Sequence, residues 1–231
     1  MFKNVYRIGF ISLMCVSLMV FTADAQDKIT GPWMWMIAQF PAGTGGAAVT
    51  DKDGLDEQSN GKVTEEDIAK RGLTKKFLNV EYKDDFEWTE GEIPATGGNN
   101  INDTLARIGL GPGGDLNDYC SYAVINVKSS KAQNDVTGRA GSDDSIKIWV
   151  NEDVVHKNPV NRGAGDFQDT FKADFKRGSN VLMVKVCERG GGWSMFVGFD
   201  ADLDYNLNFA GLPVEPEAKL TTQWGKVKKS Y

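Results

Sequence analysis

Along the second half of the chain, apolar and polar residues alternate with a period of two, the pattern of strands that bury one face. Ile146, Ile148 and Val150 share one face of a predicted strand; Lys147, Trp149 and Asn151 share the other. Upstream, Ala123, Ile125 and Val127 stand opposite Cys120, Tyr122 and Val124. Downstream, Phe171, Ala173 and Phe175 alternate with Lys172, Asp174 and Lys176. The run Arg177-Gly178-Ser179-Asn180 then reads as a tight turn, and Val181 to Cys187 is expected to return as the hairpin partner of that strand. Trp193, Met195, Val197 and Phe199 mark one more strand. Short strands at this spacing predict an all-β fold, an antiparallel β-sandwich of jelly-roll kind, and not βαβ units.

The first half is less regular. Pro32 to Ile37 is apolar and suits a buried strand. Thr64, with Asp67 three residues on, caps one short predicted helix in this N-terminal part. Gly91 to Asn100 and Gly109 to Asp115 read as loops. Asp56, Asn60, Gly61 and Asp67 fall at positions one, five, six and twelve of an EF-hand-type calcium loop. Gln58 at position three and Asp67 in place of a final Glu favour a plain loop leading into the helix cap.

The ends carry different information. Lys3 and Arg7 flank an apolar run, Ile8 to Phe21, and Ala23-Asp24-Ala25 fits a small-x-small cleavage pattern, so residues 1–25 are expected to be a signal peptide. Cys15 lies inside the apolar run without the small residue that lipid attachment needs. Residues 26–210 form the expected sandwich domain, and 211–231 a linker around Pro213 and Pro216 with a basic tail. An exported protein, periplasmic or extracellular, follows, with no membrane insertion after cleavage. The formal charge of −6 becomes one unit more negative without the leader's Lys3, Arg7 and Asp24. That acidity argues against a nucleic-acid partner and against an anionic lipid surface. Cys120 and Cys187 lie at strand ends, and both a disulfide and two free thiols fit the pattern.

One set of motifs resembles a known family. Ser142-Asp143-Asp144, Ile148-Trp149-Val150-Asn151, Arg162, Asp169, the run Lys176-Arg177-Gly178-Ser179-Asn180 with its aliphatic strand to Lys185, and Trp193 resemble a galactose-binding-like β-sandwich of exported bacterial proteins. The aspartate pair is also similar to that of PA14-type sandwiches. The resemblance covers about Ala123 to Phe199, and Gly31-Pro32-Trp33 extends it to the front. Glu152 stands where the family usually has Gly, so either the turn is of another type or Asn151 is left-handed. The resemblance implies a non-catalytic carbohydrate-binding or glycan-adhesion module, whose partner is a glycan or cell-surface polysaccharide. A structural or assembly sandwich without a ligand is the alternative, and a glycan-active hydrolase a further one.

Candidate ligand-binding residues are Trp149, Asn151, Arg162, Asp169 and Trp193. The two indoles offer faces for a sugar's C–H groups, and the polar residues, with Asp166, offer partners for its hydroxyls. The competing reading covers Trp149 with the Trp33/Trp35 segment and pairs Arg162 with Asp169. Asp143 and Asp144 supply hard oxygen donors for Ca²⁺, the one cofactor the chain suggests; they serve equally to bond backbone N–H groups in a turn. Catalytic residues are not indicated. The single histidine, His156, falls at a predicted hairpin tip without a nucleophile beside it.

Overall fold

A computed structural model describes residues 27–212. The expected signal peptide, and the linker and tail beyond Leu212, lie outside the described residues. In chain order the elements begin with β1 (Trp33–Gln39), α1 (Gly54–Ser59), α2 (Glu65–Arg71), α3 (Lys75–Leu78), β2 (Thr89–Gly91) and α4 (Asn100–Ile108). They continue with β3 (Tyr119–Ser129), β4 (Gln133–Asp143), β5 (Ser145–Val150), β6 (Asp153–Asn158), β7 (Asp169–Phe175), β8 (Gly178–Glu188), β9 (Ser194–Phe199) and β10 (Asp204–Asn206). Every described strand pairing is antiparallel. A seven-stranded sheet runs β2-β1-β3-β8-β5-β6, with β10 also on β3, and faces a three-stranded sheet β7-β4-β9. The chain is an all-β sandwich, as its periodicity predicts.

The helical content exceeds the single helix expected. The predicted one is α2, where Thr64 Oγ1 accepts from Asp67 N at 3.0 Å. The segment 56–59, read as a loop, belongs to α1, capped by Asp53. α4 begins inside an Asn-rich stretch read as a loop; Asn100 holds it by donating to Pro94 O and Met195 O and accepting from Met195 N. Helices α1 and α2 pack on the outer face of the large sheet, while α4 extends the layer of the small one beside β9. The large sheet is therefore covered on both faces, and β3 is buried at every position from Tyr119 to Val127.

Two strand assignments change. β8 is not the hairpin partner of β7. It lies between β3 and β5 in the large sheet, while β7 pairs with β4 in the small one. Residues 176–180 thus form a corner between sheets. Asn180 closes it, accepting from Lys176 N and donating to Lys176 O and Val127 O. Both faces of β8 from Leu182 to Glu188 are buried, which suits a central strand and not half of an exposed hairpin. His156 lies within β6, not at a hairpin tip; the β5–β6 turn is at Asn151, which takes the left-handed conformation with φ 57°.

The register of β3 on β8 puts Cys120 directly opposite Cys187, and the two are joined by a disulfide. Of the two thiol arrangements the sequence allows, the bridged one is present.

Candidate functional site

β4 belongs to the small sheet and β5 to the large one, so the chain changes sheets at Asp144. On β8, Cys187 pairs with Ser145, which sets Glu188 beside Asp144 at the strand ends. One oxygen from each of Asp143, Asp144 and Glu188 lies within 4.8 Å of the others. Among the described residues this is the one such carboxylate group found.

Loop backbone fixes these carboxylates. Asp144 Oδ1 accepts from Arg162 N at 2.8 Å and Oδ2 from Arg189 N at 3.0 Å. Asp143 Oδ2 accepts from Ala164 N at 3.1 Å, and Glu188 Oε1 from Gly190 N. The Oε2 atom of Glu188 is buried without a hydrogen-bond partner among the described residues. Glycines let the chain close around the site. A Cβ on Gly46, whose φ is 63°, would sit 2.3 Å from Asn161 Oδ1 and 3.1 Å from Asp144 Oδ2. One on Gly192 would meet Gly98 O at 2.6 Å and Asp143 Oδ2 at 3.1 Å.

The electrostatics follow from crowding. Burial, then the neighbouring Asp144 charge, pushes the Asp143 carboxyl up to about 6. Burial, then the charges of Asp144 and Asp143, pushes Glu188 up to about 8. Burial raises Asp144 as well, against the N–H groups that favour its charged form. An all-oxygen set with mutually repelling charges and an orphaned carboxylate oxygen suits a hard cation. Ca²⁺–O distances of ~2.3–2.6 Å allow oxygens across an ion to stand up to ~5 Å apart, which the observed spacing meets.

The predicted ligand residues do not form one surface. Trp193 is fully buried, its indole N–H donated to Val186 O at 3.2 Å. Trp149 is 4 % exposed, with Lys147 Nζ 4.6 Å over its ring. Neither indole presents a face to a sugar. The cover on Trp149 is not Trp33 and Trp35 either, because register puts those on the opposite face of the sheet. Asn151 lies at the far end of β5, roughly 20 Å of strand from Asp144 at ~3.3 Å per residue. It bonds Asn180 and Val181 there.

Arg162 and Asp169 do lie near the aspartate pair, as a brace. Arg162 grips Asp169 through two bonds of 3.0 and 2.7 Å and reaches Ser142 Oγ at 2.8 Å. Ser142 Oγ in turn donates to Asp144 O at 2.7 Å. His156 Nε2 and Asn158 Nδ2 also contact Asp169, at 3.0 and 3.2 Å. Asp166 pairs with Lys28. The residue that sequence reasoning missed is Glu188. Its signal is a carboxylate closing an aliphatic strand just before Arg189 and three glycines.

Comparisons with known proteins identify relatives of shape only. No protein-family profile and no curated protein matches the chain. The solved structures it matches include the PA14 domain of the antifreeze protein MpAFP, at 15 % identity and a TM-score of 0.40, covering 80 % of this chain and 90 % of that one. Another is a PA14 sugar-binding domain from an RTX adhesin, at 12 % identity and a TM-score of 0.40, covering 78 % and 95 %. Both are PA14 domains; affiliation with the galactose-binding-like sandwiches stays an expectation from the motifs.

Proposed function

We propose that this chain is an exported, non-catalytic carbohydrate-binding module whose glycan is taken at a calcium ion held by Asp143, Asp144 and Glu188. The observation that carries this reading is the carboxylate corner itself: three acids within 4.8 Å, with the Oε2 atom of Glu188 buried and unpartnered. Calcium bound there supplies coordination positions that paired sugar hydroxyls can fill. Asp143 is only half buried, so the corner opens on its side. The Arg162–Asp169 brace holds Ser142 and Asp144 in place and is not itself a sugar contact. The disulfide supports an oxidising, extracytoplasmic location. Among the described residues no helix is long and apolar enough to cross a membrane.

A second reading, a structural or assembly sandwich whose ion only pins the loops, is favoured by the burial of Trp149 and Trp193. A glycan array decides between the two non-catalytic readings, with wild type and Asp144→Asn, each in calcium and in EDTA. Binding that needs both calcium and Asp144 supports recognition. Calcium binding by calorimetry with no glycan retained on the array would leave only the structural role.

A further inference from the structure

In the small sheet, β9 runs beside β4 with Ser194 directly opposite Asp143. Side chains directly opposite in an antiparallel pair share a face, with Cβ atoms ~4.5–5.5 Å apart. The Asp143 carboxylate leans over this same end of β9: a Cβ on Gly192, two residues before Ser194, would stand 3.1 Å from Asp143 Oδ2. Ser194 is fully buried, and its Oγ has no hydrogen-bond partner among the described residues. We propose that Ser194 Oγ is a fourth protein ligand of the calcium ion at the carboxylate corner, an inference that rests on the calcium reading above.

Packing alone gives no reason for a bare hydroxyl at this position. A buried serine ordinarily spends its O–H on a nearby acceptor, and leaving it unpaired costs its desolvation. The other serines around the corner are spent. Ser142, on the opposite face of β4, accepts from Arg162 Nη2 at 2.8 Å and donates to Asp144 O at 2.7 Å. Ser145, at the start of β5, accepts from Thr50 Oγ1 at 2.7 Å. Ser194 is the exception, and it matches a second one, the unpartnered Oε2 of Glu188. Each stands beside the Asp143–Asp144 step, Ser194 from the small sheet and Glu188 from the large one. A cation between the two sheets gives both oxygens a partner at once. The chemistry suits the ion. Calcium takes about six to eight oxygens, so three carboxylates leave positions to fill. A neutral hydroxyl fills one without adding to the repulsion among the acids.

The test is calorimetric titration of the purified chain with calcium and with cadmium, in wild type, Ser194→Ala and Ser194→Cys. Ser194→Ala should lower calcium affinity by roughly tenfold or more. Its Tm in EDTA should equal or exceed that of wild type, because the unpaired hydroxyl is gone. A residue that served packing alone would show the reverse, a lower Tm in EDTA and calcium affinity as in wild type. Ser194→Cys exchanges a hard oxygen for a soft sulfur, so it should bind calcium more weakly than wild type and cadmium more tightly. Cys120 and Cys187 are tied in the disulfide, so the new thiol is the one free thiol among the described residues. Cadmium should therefore give Ser194→Cys an ultraviolet thiolate-to-metal charge-transfer band that wild type lacks and EDTA removes. This variant also serves if Ser194→Ala fails to fold. Wild-type calcium affinity in Ser194→Ala, or no charge-transfer band in Ser194→Cys, would overturn the assignment of Ser194 and leave the calcium reading standing. No calcium binding by wild type would overturn both.

Discussion

Lys185 is wholly buried, yet its ammonium has a full set of partners. It donates to Val49 O and Thr50 O at 3.1 Å each, to Lys52 O, and to Glu65 Oε1 at 2.7 Å. Tyr122 OH donates to the same Glu65 oxygen at 2.8 Å. Lys185 thus fastens the helical layer to the centre of the large sheet. Removing one partner of a buried pair leaves a charge and several carbonyls uncompensated, a loss of about 3–5 kcal/mol. Lys185→Met is expected to destabilise by that amount in urea unfolding. Lys185→Met combined with Glu65→Leu should recover part of it, because the stranded charge is then gone. Equal stability of the single variant and wild type would mean that the cluster does not hold the layers together.

Strands and loops show which features the sequence exposed. β7 was legible because its outer face meets solvent, so Phe171, Ala173 and Phe175 stand out against Lys172 and Asp174. Periodicity reports faces, however, and not partners, so it pairs β8 with β7 where the sheet seats it between β3 and β5. Lys185 and Trp149 sit on a face that looks outward by alternation but is roofed by helices far away in sequence. The aspartate pair of the site was visible as a motif; Glu188 was not, because only the register of β5 on β8 brings it there. The register of β3 on β8 places the disulfide. Its loss in Cys120→Ser/Cys187→Ser, a bridge across 67 residues of chain, should cost about 2–4 kcal/mol by chemical denaturation. Gly141 tests the loop side of the site. A Cβ there would lie 1.9 Å from Gly165 O, so Gly141→Ala must displace the 162–167 segment that donates to both aspartates. Calcium affinity measured by calorimetry should fall at least tenfold while the far-UV spectrum stays that of a sandwich.

For the molecule as a whole, the carboxylate corner makes stability depend on pH and, under the proposed calcium reading, on the ion. Asp143 at about 6 and Glu188 at about 8 lie above their unfolded values near ~4. Without a cation the folded state keeps protons that the unfolded chain has lost. The contribution of these two groups is therefore complete below pH ~4 and is lost as pH rises through 6 and 8. Asp169 works in the other direction. Burial pulls it upward, but hydrogen bonds from Arg162 and His156 outweigh that and hold it below its usual value. Its contribution is present above pH ~4 and lost on further acidification. In EDTA, Tm should consequently be higher at pH 5 than at pH 8. Calcium bound at the ionised corner, as proposed above, would reverse the trend. At a hundredfold excess over Kd it adds about 2.7 kcal/mol, roughly 5–10 °C in Tm for a domain of this size, at pH 8 and far less at pH 5. Glu188→Gln imitates the protonated acid, so it should raise Tm in EDTA at pH 8 and remove most of the calcium response. Scanning calorimetry of both proteins at the two pH values reads all of this. A calcium-free Tm that does not fall between pH 5 and pH 8, together with no calcium shift at pH 8, would show that the corner is held by its backbone donors alone.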